Sequence, residues 1–221
     1  MPNTYRRFYY EKEIYPCTCL ACGIHLVDGS PVLCGCAGYC PRDSSVGFAT
    51  LNGLVHRLTG VNMTLYTITD WLGLVPVAIG FGFAMLGLVQ WIKRKNILKV
   101  DFNILILGIF YILVLAVYIL FETVVINRRP VLINGYLETS YPSSTTLLVL
   151  CVMPTAALQF HSRTKGMWKK IITVAIVAFV VFVIGGRLLS GVHWFSDIVG
   201  GIILAGGLVM LYDAATKSLS K

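Results

Sequence analysis

Three ionisable side chains in an otherwise apolar region are the residues of this sequence best suited to chemistry. Within the segment GGRLLSGVHWFSD, Arg187, His193 and Asp197 follow one another at i, i+6 and i+10. They lie between two apolar runs, Ile171–Ile184 and Ile198–Leu211. Ionisable groups are costly to place in such surroundings, so these three residues are candidates for function.

Together, the three residue types can handle a phosphate group. Arg187 offers a rigid fork of donors for phosphate oxygens. His193 can act as a nucleophile, and Asp197, one helical turn later, can fix the histidine tautomer. The alternative is that Arg187 and His193 anchor the chain at the membrane interface and that Asp197 is a helix N-terminal charge.

A second polar cluster precedes this one in the chain. Glu122 is followed by Asn127, Arg128, Arg129 and Pro130. Two adjacent arginines can bind an anion, and the alternative is that they bind lipid headgroups. Positive charge on a loop predicted to be external runs against the usual bias of membrane proteins, which favours the anion site.

A third polar segment predicts the start of a helix. Pro142 is followed by Ser143, Ser144 and Thr145 and then by an apolar run. The first backbone N–H groups of a helix have no partner within the helix, and proline is common at this position. A helix N-terminus that carries hydroxyl groups and faces two arginines is suited to bind an anion.

The composition indicates an integral membrane protein. Hydrophobic residues make up 57% of the chain and charged residues only 13%, and the mean hydropathy is +0.77. The net charge of +8 comes from short basic clusters beside apolar runs, a pattern typical of cytoplasmic flanks rather than of nucleic-acid binding. We expect one membrane domain over residues 44–221, in the cell membrane, with several passes.

The apolar runs predict an all-α bundle of five to six transmembrane helices. The charge bias places the site at the outer membrane face, where both polar clusters emerge. In the segment before the first span, His56 and Arg57 are expected to face headgroups from an interfacial helix. Asp70 is expected to be a helix cap or an interface residue. The five clear spans are Leu65–Ile92, Phe102–Phe121, Leu147–Phe160, Ile171–Leu189 and Phe195–Tyr212.

Residues 1–43 form an atypical, cysteine-rich segment that contains six of the seven cysteines. Three interpretations are open: a zinc or iron–sulfur site, an external disulfide-linked segment, or a first membrane helix read in a shifted frame. The last would supply the sixth span and agree with a basic, inside N-terminus, although proline, aspartate and glycine residues interrupt the segment as written.

The order and spacing of the polar residues resemble the type 2 phosphatidic acid phosphatase family, the lipid phosphatases related to vanadium haloperoxidases. That family carries lysine, six residues, arginine-proline; later proline-serine-glycine-histidine; and later serine-arginine, five residues, histidine, three residues, aspartate. The resemblance covers about Val46 to Tyr212. The matching positions are Arg129-Pro130, Pro142-Ser143, and Arg187, His193 and Asp197.

The resemblance implies a role for each matching residue. His193 is expected to be the nucleophile that takes the phosphoryl group, with Asp197 orienting it. Arg129, Arg187 and Ser143 are expected to hold the phosphate oxygens. No metal and no cofactor is expected, because the arginines supply the positive charge that stabilises the transition state.

Four positions depart from the family pattern. Glu122 stands at the lysine, Ser144 at the glycine, Thr145 at the second-motif histidine and Gly186 at the serine before the arginine. In the family that histidine is the general acid for the leaving oxygen, and threonine cannot replace it near neutral pH. Glu122 is expected to pair with Arg128 or Arg129 or, if protonated, to serve as the substitute acid.

The predicted function is a membrane lipid phosphatase with a phosphohistidine intermediate. General acid catalysis is worth ~10²–10⁴ in rate, so the loss of the acid favours a diphosphate such as a polyprenyl diphosphate over phosphatidate. The alternatives are a catalytically impaired lipid-phosphate binding scaffold and a lipid phosphotransferase. The expected partners are the lipid substrate and the bilayer, with no nucleic acid and no obligate protein partner.

Overall fold

A computed structural model describes residues 46–219 of the chain. The interpretations of residues 1–43, including the sixth span, lie outside the described residues. A single 3₁₀ turn, Ile97–Lys99, separates two of the α-helices. The helices are α1 (Ala49–Thr59), α2 (Met63–Leu72), α3 (Leu74–Arg94), α4 (Phe102–Thr123), α5 (Ser144–Arg163), α6 (Met167–Leu189) and α7 (Phe195–Leu219).

Five helical stretches among residues 46–219 are long and apolar enough to cross a membrane. The first, Met63–Arg94, consists of α2 and α3, which meet at Gly73, and the other four are α4, α5, α6 and α7. The chain is therefore a multi-pass membrane protein, and the predicted all-α bundle is confirmed. The helices extend beyond the predicted apolar runs, because polar residues continue the backbone hydrogen bonding at their ends.

Helix α5 lies at the centre of the bundle. In the most apolar stretch of α5, 56% of the residues are buried. In the most apolar stretches of the other four spans, only 11–28% of the residues are buried. It packs against α3, α4, α6 and α7. The largest core cluster joins Leu147 and Cys151 of α5 to Leu107 and Phe110 of α4 and to α7. The N-terminus of α5 is thus surrounded by other elements.

The two ends of the bundle differ in charge. At one end lie most of the lysines and arginines of the described residues, at the C-termini of α3, α5 and α7 and the N-terminus of α6. At the other end the C-termini of α4 and α6 meet the N-termini of α2, α5 and α7. The predicted site residues lie at this second end.

Gly186 allows α2 to lie close against α6. A Cβ atom at this position would lie 2.5 Å from Cγ2 of Thr69, which is closer than real side chains allow. The family serine at this position would therefore collide with α2. Glycine here brings the outer face of α2, with Tyr66 and Asp70, next to Arg187.

Candidate active site

His193 lies in the short turn between α6 and α7. It follows the sharp bend at Gly191, where φ is +64°, a conformation that favours glycine. The imidazole is almost completely buried, with 4% of the residue exposed. Asp197 lies in the first turn of α7 and accepts the backbone N–H of Trp194 at 2.9 Å, an arrangement that caps the helix.

Three donors hold the Asp197 carboxylate in place. The side-chain amide of Asn127 donates to Oδ1 at 2.9 Å, and the backbone N–H of Trp194 donates to Oδ2. The hydroxyl of Ser140 also donates to Oδ2, in a very short contact. A fully buried carboxylate with three donors is rigidly placed.

Ser140 lies between Asp197 and the imidazole. Its Oγ is 3.3 Å from Nδ1 of His193, whereas Oδ2 of Asp197 is 3.7 Å from the same nitrogen. Because the Ser140 proton goes to Asp197, Oγ is left to accept, and the network assigns the proton of the imidazole to Nδ1. The other ring nitrogen, Nε2, then carries a free lone pair, as a nucleophile requires.

Arg187 faces that lone pair from the last turn of α6. Its Nη2 is 3.1 Å from Nε2 of His193, and its Nη1 is 3.3 Å from Oδ1 of Asp70. Only 1% of the side chain is exposed. Its Nε is buried and has no hydrogen-bond partner among residues 46–219. A buried donor without a partner is costly, and a ligand oxygen would satisfy it.

Arg129 lies in the loop after α4 and lines the small pocket that also contains His193. Its Nε donates to the carbonyl of Thr139 at 3.2 Å, and its Nη1 donates to the hydroxyl of Tyr66 at 3.3 Å. Its Nη2 pairs with Oε2 of Glu138 at 3.2 Å. The two arginines predicted to hold phosphate thus both contact Tyr66, and Arg129 lines the same small pocket as His193.

The ring of Tyr66 contacts both guanidinium groups. Cζ of Arg187 is 4.7 Å from the ring centroid, and Cζ of Arg129 is 5.5 Å from it. Such cation–π contacts are favourable and fix the plane of a guanidinium. Tyr66 therefore helps two like charges to lie near each other.

The hydroxyl residues at the start of α5 have different surroundings. Ser143 lies at the N-cap position of α5 and is fully buried, but its side chain makes no capping hydrogen bond. Its Oγ accepts from the hydroxyl of Thr146 at 3.0 Å, and its backbone N–H donates to the carbonyl of Asp197 at 3.1 Å. Ser144 lines a small pocket together with Arg129 and His193. Thr145 is buried, and its methyl group lies against Gly73 at the α2–α3 junction.

Glu122 lines the same small pocket, but the predicted pairing with an arginine is absent among the described residues. Its Oε2 instead accepts the hydroxyl of Thr139 at 2.9 Å. Arg128 donates to the carbonyl of Leu137 at 2.8 Å, and its own carbonyl accepts from the indole of Trp194. The guanidinium of Arg128 thus braces the loop, whereas Arg129 reaches the site.

A family model of known proteins covers the part of the chain that carries most of these residues. The PAP2 superfamily model matches residues 127–217, from the loop that carries Arg129 to near the end of α7. The family resemblance inferred from the motifs is confirmed.

One solved structure is similar to this chain. It is the crystal structure of the first transmembrane PAP2 type phosphatidylglycerolphosphate phosphatase from Bacillus subtilis, which is 21% identical. The alignment covers 76% of this chain and 94% of that chain, with a TM-score of 0.40. A comparison with curated proteins found no match.

The burial of His193 determines its protonation state. The pKa of His193 is lowered to about 4, chiefly by removal from water and also by the charges of Arg129 and Arg187, although the hydrogen bonding and charge of Asp197 act in the opposite direction. The imidazole is therefore neutral over the physiological range, which is the state that keeps a lone pair on Nε2.

His56 supports the PAP2 region from outside it. It was expected to face headgroups, but its ring packs against Trp194 with centroids 5.6 Å apart. On the same helix, Asn52 accepts the backbone N–H of Ser196 at 3.0 Å and donates to its hydroxyl at 2.9 Å. Helix α1 therefore braces the turn that carries His193. Arg57 remains exposed.

Sequence reasoning placed the PAP2 motif residues but missed several of their partners. Asp70, expected as a cap or interface residue, pairs with Arg187, and Tyr66 contacts both arginines without having been predicted to do so. Asn127 was part of the second polar cluster with no predicted role, and Ser140 lies just before the third polar segment. The one usable signal was an aromatic and an acidic residue four positions apart, Tyr66 and Asp70, near the end of a predicted span.

The donor set suits an anion. Two arginines, an unpartnered guanidinium N–H and the N-terminus of α5 converge around His193. Among residues 46–219, no three His, Cys, Asp or Glu side chains come together to hold a metal ion.

Proposed function

We propose that the protein is a membrane lipid phosphatase that removes a terminal phosphate through a phosphohistidine intermediate on His193. The observation that carries this proposal is the direct contact between Nε2 of His193 and Nη2 of Arg187, with Nδ1 turned to Ser140 and Asp197. A nucleophilic nitrogen and a phosphate-binding fork thus lie side by side.

In the first step, the lone pair of Nε2 attacks the phosphorus atom. The bond from phosphorus to the leaving oxygen breaks, and the electron pair departs with that oxygen. The imidazole becomes positively charged while Nδ1 keeps its proton, and Asp197 stabilises that charge through Ser140. In the second step, a water oxygen attacks the phosphorus, and the P–N bond breaks with its electron pair returning to Nε2. The protons of the water leave with the released phosphate or pass to solvent, and neutral His193 is restored.

The arginines act on the charge that develops on the phosphoryl oxygens. Arg187 donates to Nε2, so a phosphoryl group has to enter between the two side chains. Its oxygens then take over the N–H groups of Arg187, including the unpartnered Nε. Donors that are already positioned stabilise a pentavalent transition state without further reorganisation.

Thr145 affects which leaving group can depart, because it stands where the family has its general acid. Thr145 packs against Gly73, and a threonine hydroxyl is not an acid near neutral pH. A lipid alkoxide would therefore leave without proton donation, whereas a lipid phosphate is a weak base and leaves readily. A lipid diphosphate, of the polyprenyl diphosphate type, is the substrate class that fits best, and a phosphomonoester such as phosphatidate is the poorer one.

The surroundings support a lipid substrate. An apolar groove of about 730 Å³ runs between α3 and α4, with Leu148 and Val152 of α5 also lining it. Leu147, the neighbour of Leu148, lines the pocket that contains His193. The basic end of the bundle fits the cytoplasmic side, so the site faces outward in the cell membrane.

The test is phosphate release by the purified protein in detergent from a polyprenyl diphosphate and from phosphatidic acid. His193→Asn should abolish release, and His161→Asn, a matched change at the opposite end of the bundle, should not. Brief reaction with a substrate labelled in its terminal phosphate should leave an acid-labile, alkali-stable label on the wild type and none on His193→Asn. Lipid binding without release by the wild type would instead support the scaffold alternative.

A further inference from the structure

Each of the two arginines at the nucleophile already holds a carboxylate. Asp70 pairs with Arg187 at 3.3 Å, and Glu138 pairs with Arg129 at 3.2 Å. The arginine side chains are 1% and 9% exposed, whereas those of Asp70 and Glu138 are 55% and 43% exposed. Both pairs thus consist of a fixed, buried cation and an acid at the solvent rim.

The two acids come from separate parts of the chain. Asp70 lies near the end of α2, and it reaches Arg187 because Gly186 lets α2 approach α6. Glu138 lies in the loop before α5, and its backbone carbonyl also accepts the N–H of Arg129 at 3.2 Å. Two independent elements therefore bring a carboxylate to each phosphate-binding fork.

We propose that Asp70 and Glu138 are specificity-determining residues that stand in for phosphate oxygens at the two arginines and exclude ligands with a single negative charge. The proposal rests on the proposed function in that the two arginines bind the phosphate of the substrate. A terminal phosphate or diphosphate carries about two or more negative charges near neutral pH and can replace both carboxylates. A phosphodiester carries one and cannot.

This selection matters because of where the site lies. The bulk phospholipids of a membrane are phosphodiesters, and they surround the site in great excess over any lipid with a terminal phosphate. An arginine pair without its carboxylates would bind their headgroups, as basic residues at a membrane surface commonly do. Exclusion by a like charge is a recognised way to reject a competing ligand.

The exposure of Asp70 and Glu138 allows their carboxylates to leave the arginines when a phosphate binds. A buried carboxylate could not leave its arginine without a large desolvation cost, but a half-exposed one can turn into water. Exchange of carboxylate for phosphate leaves the buried guanidinium paired throughout. The unpartnered Nε of Arg187 adds one donor that Asp70 does not use and that a phosphate can take.

The experiment measures anion binding by Asp70→Asn, Glu138→Gln and the double variant, through the thermal stabilisation produced by a concentration series of ligand. The two ligands are inorganic phosphate at pH 8 and diethyl phosphate, a soluble phosphodiester. Asp213→Asn, which removes an acid at the opposite end of the bundle, controls for net charge. Asn and Gln keep an oxygen that accepts from the arginine, so both variants preserve a hydrogen bond.

We expect each single variant to bind inorganic phosphate about two- to fivefold more tightly than wild type, because exposed ion pairs are worth little and compete weakly. The affinity for diethyl phosphate should rise by a larger factor than the affinity for inorganic phosphate, and the rise should be largest in the double variant. In turnover assays KM should fall with kcat unchanged. Unchanged or weaker phosphate binding in both single variants, or an equal gain for the two ligands, would overturn the proposal.

The result separates this proposal from the proposed function. If the variants bind anions more tightly but the protein releases no phosphate from any lipid, the exchange of carboxylate for phosphate is supported and the phosphatase function is contradicted. If the wild type turns over lipid phosphate and the variants bind anions no more tightly, the phosphatase function is supported and the exchange is contradicted. A fall in kcat in Asp70→Asn, at unchanged KM, would make Asp70 a positioning residue for Arg187 and would also overturn the proposal.

Discussion

Nη2 of Arg187 lies 3.1 Å from Nε2 of His193, so the two side chains contact each other directly. The contact has two consequences. It requires an unprotonated Nε2, because a guanidinium can only donate. Under the proposed function, it also means that a phosphoryl group has to separate the two side chains, and that the nucleophilic nitrogen and the donors for the phosphoryl oxygens lie next to each other.

Removal of the Ser140 hydroxyl should impair catalysis more than folding. Ser140→Ala takes away the acceptor for Nδ1 of His193 and one donor to Asp197, and it frees the imidazole to change tautomer. Leaving a buried polar group unpaired costs about 1–3 kcal/mol, so we expect kcat to fall about 10- to 100-fold. Ser162→Ala, at the opposite end of the bundle, is the matched control.

The amount of phosphohistidine separates a positioning role of Ser140 from general damage. Ser140→Ala should form the labelled intermediate more slowly, while the same concentration of vanadate, a mimic of the transition state, still protects the fold against heat. Equal rates of labelling in Ser140→Ala and the wild type would contradict the role given to Ser140.

A diphosphate should be hydrolysed faster than a monophosphate of the same lipid chain. Without the family histidine at Thr145, the monophosphate lacks proton donation to its leaving oxygen, and the expected difference in kcat is roughly 10²-fold or more. The measurement is single-turnover phosphate release from matched polyprenyl substrates. Equal rates would mean that another group supplies the proton.

Glu122 is the residue to test for such a substitute acid. It lines the pocket that contains His193, but its Oε2 accepts a hydrogen bond from Thr139. We therefore expect Glu122→Gln to leave the ratio of diphosphate to monophosphate turnover within about threefold of the wild type, since loss of a true general acid changes rates by ~10²–10⁴. A selective loss of monophosphate turnover, with a changed pH–rate profile, would assign the acid to Glu122.

The pKa of His193 should lie well below that of an ordinary histidine. Burial lowers it from 6.5 to about 4. The folded imidazole thus stays neutral while an unfolded one takes a proton, so its contribution to stability is full above pH 6.5 and is lost as the pH falls from 6.5 towards 4. An NMR titration of histidine-labelled protein, with His193→Asn to assign the signal, measures it directly. A midpoint near 6.5 would contradict the buried, neutral state.

The ring of Tyr66 should matter more than its hydroxyl. Tyr66→Leu removes the face that contacts Arg129 and Arg187, and cation–π contacts are worth about 0.5–2 kcal/mol. We expect KM to rise about 3- to 30-fold in Tyr66→Leu and less than about threefold in Tyr66→Phe, which loses only one hydrogen bond to Arg129. Equal effects of the two substitutions would show that the hydroxyl, and not the ring, holds the arginines.

Part of the site could be predicted from the sequence because its residues are close together in the chain. Arg187, His193 and Asp197 lie within one helix end, one turn and one helix start, so their spacing alone predicts that they lie close together. The same holds for the membrane spans, since length and hydropathy decide whether a helix can cross a bilayer. The family motifs also depend only on order and spacing, which is why the resemblance could be recognised.

Other parts depend on contacts between distant segments. Ser140 enters the catalytic network from the loop before α5, and Asn127 enters it from the loop after α4. Nothing in their local pattern distinguishes them from other polar loop residues. The interpretation of Glu122 as an arginine partner was wrong for the same reason: Glu138 lies closer to Arg129 once the loop folds back on itself.

The sequence alone was enough to predict a multi-pass helical membrane protein and a motif of Arg187, His193 and Asp197 that resembles the PAP2 pattern, because hydropathy and motif spacing are properties of the chain. Which acids face the arginines, which nitrogen of His193 is free and how Tyr66 contacts both guanidinium groups depend on tertiary contacts. The approach of α2 to α6 at Gly186 brings Tyr66 and Asp70 to Arg187. The loop before α5 brings Ser140 to His193 and Glu138 to Arg129. Helix packing, and not local pattern, sets such distances.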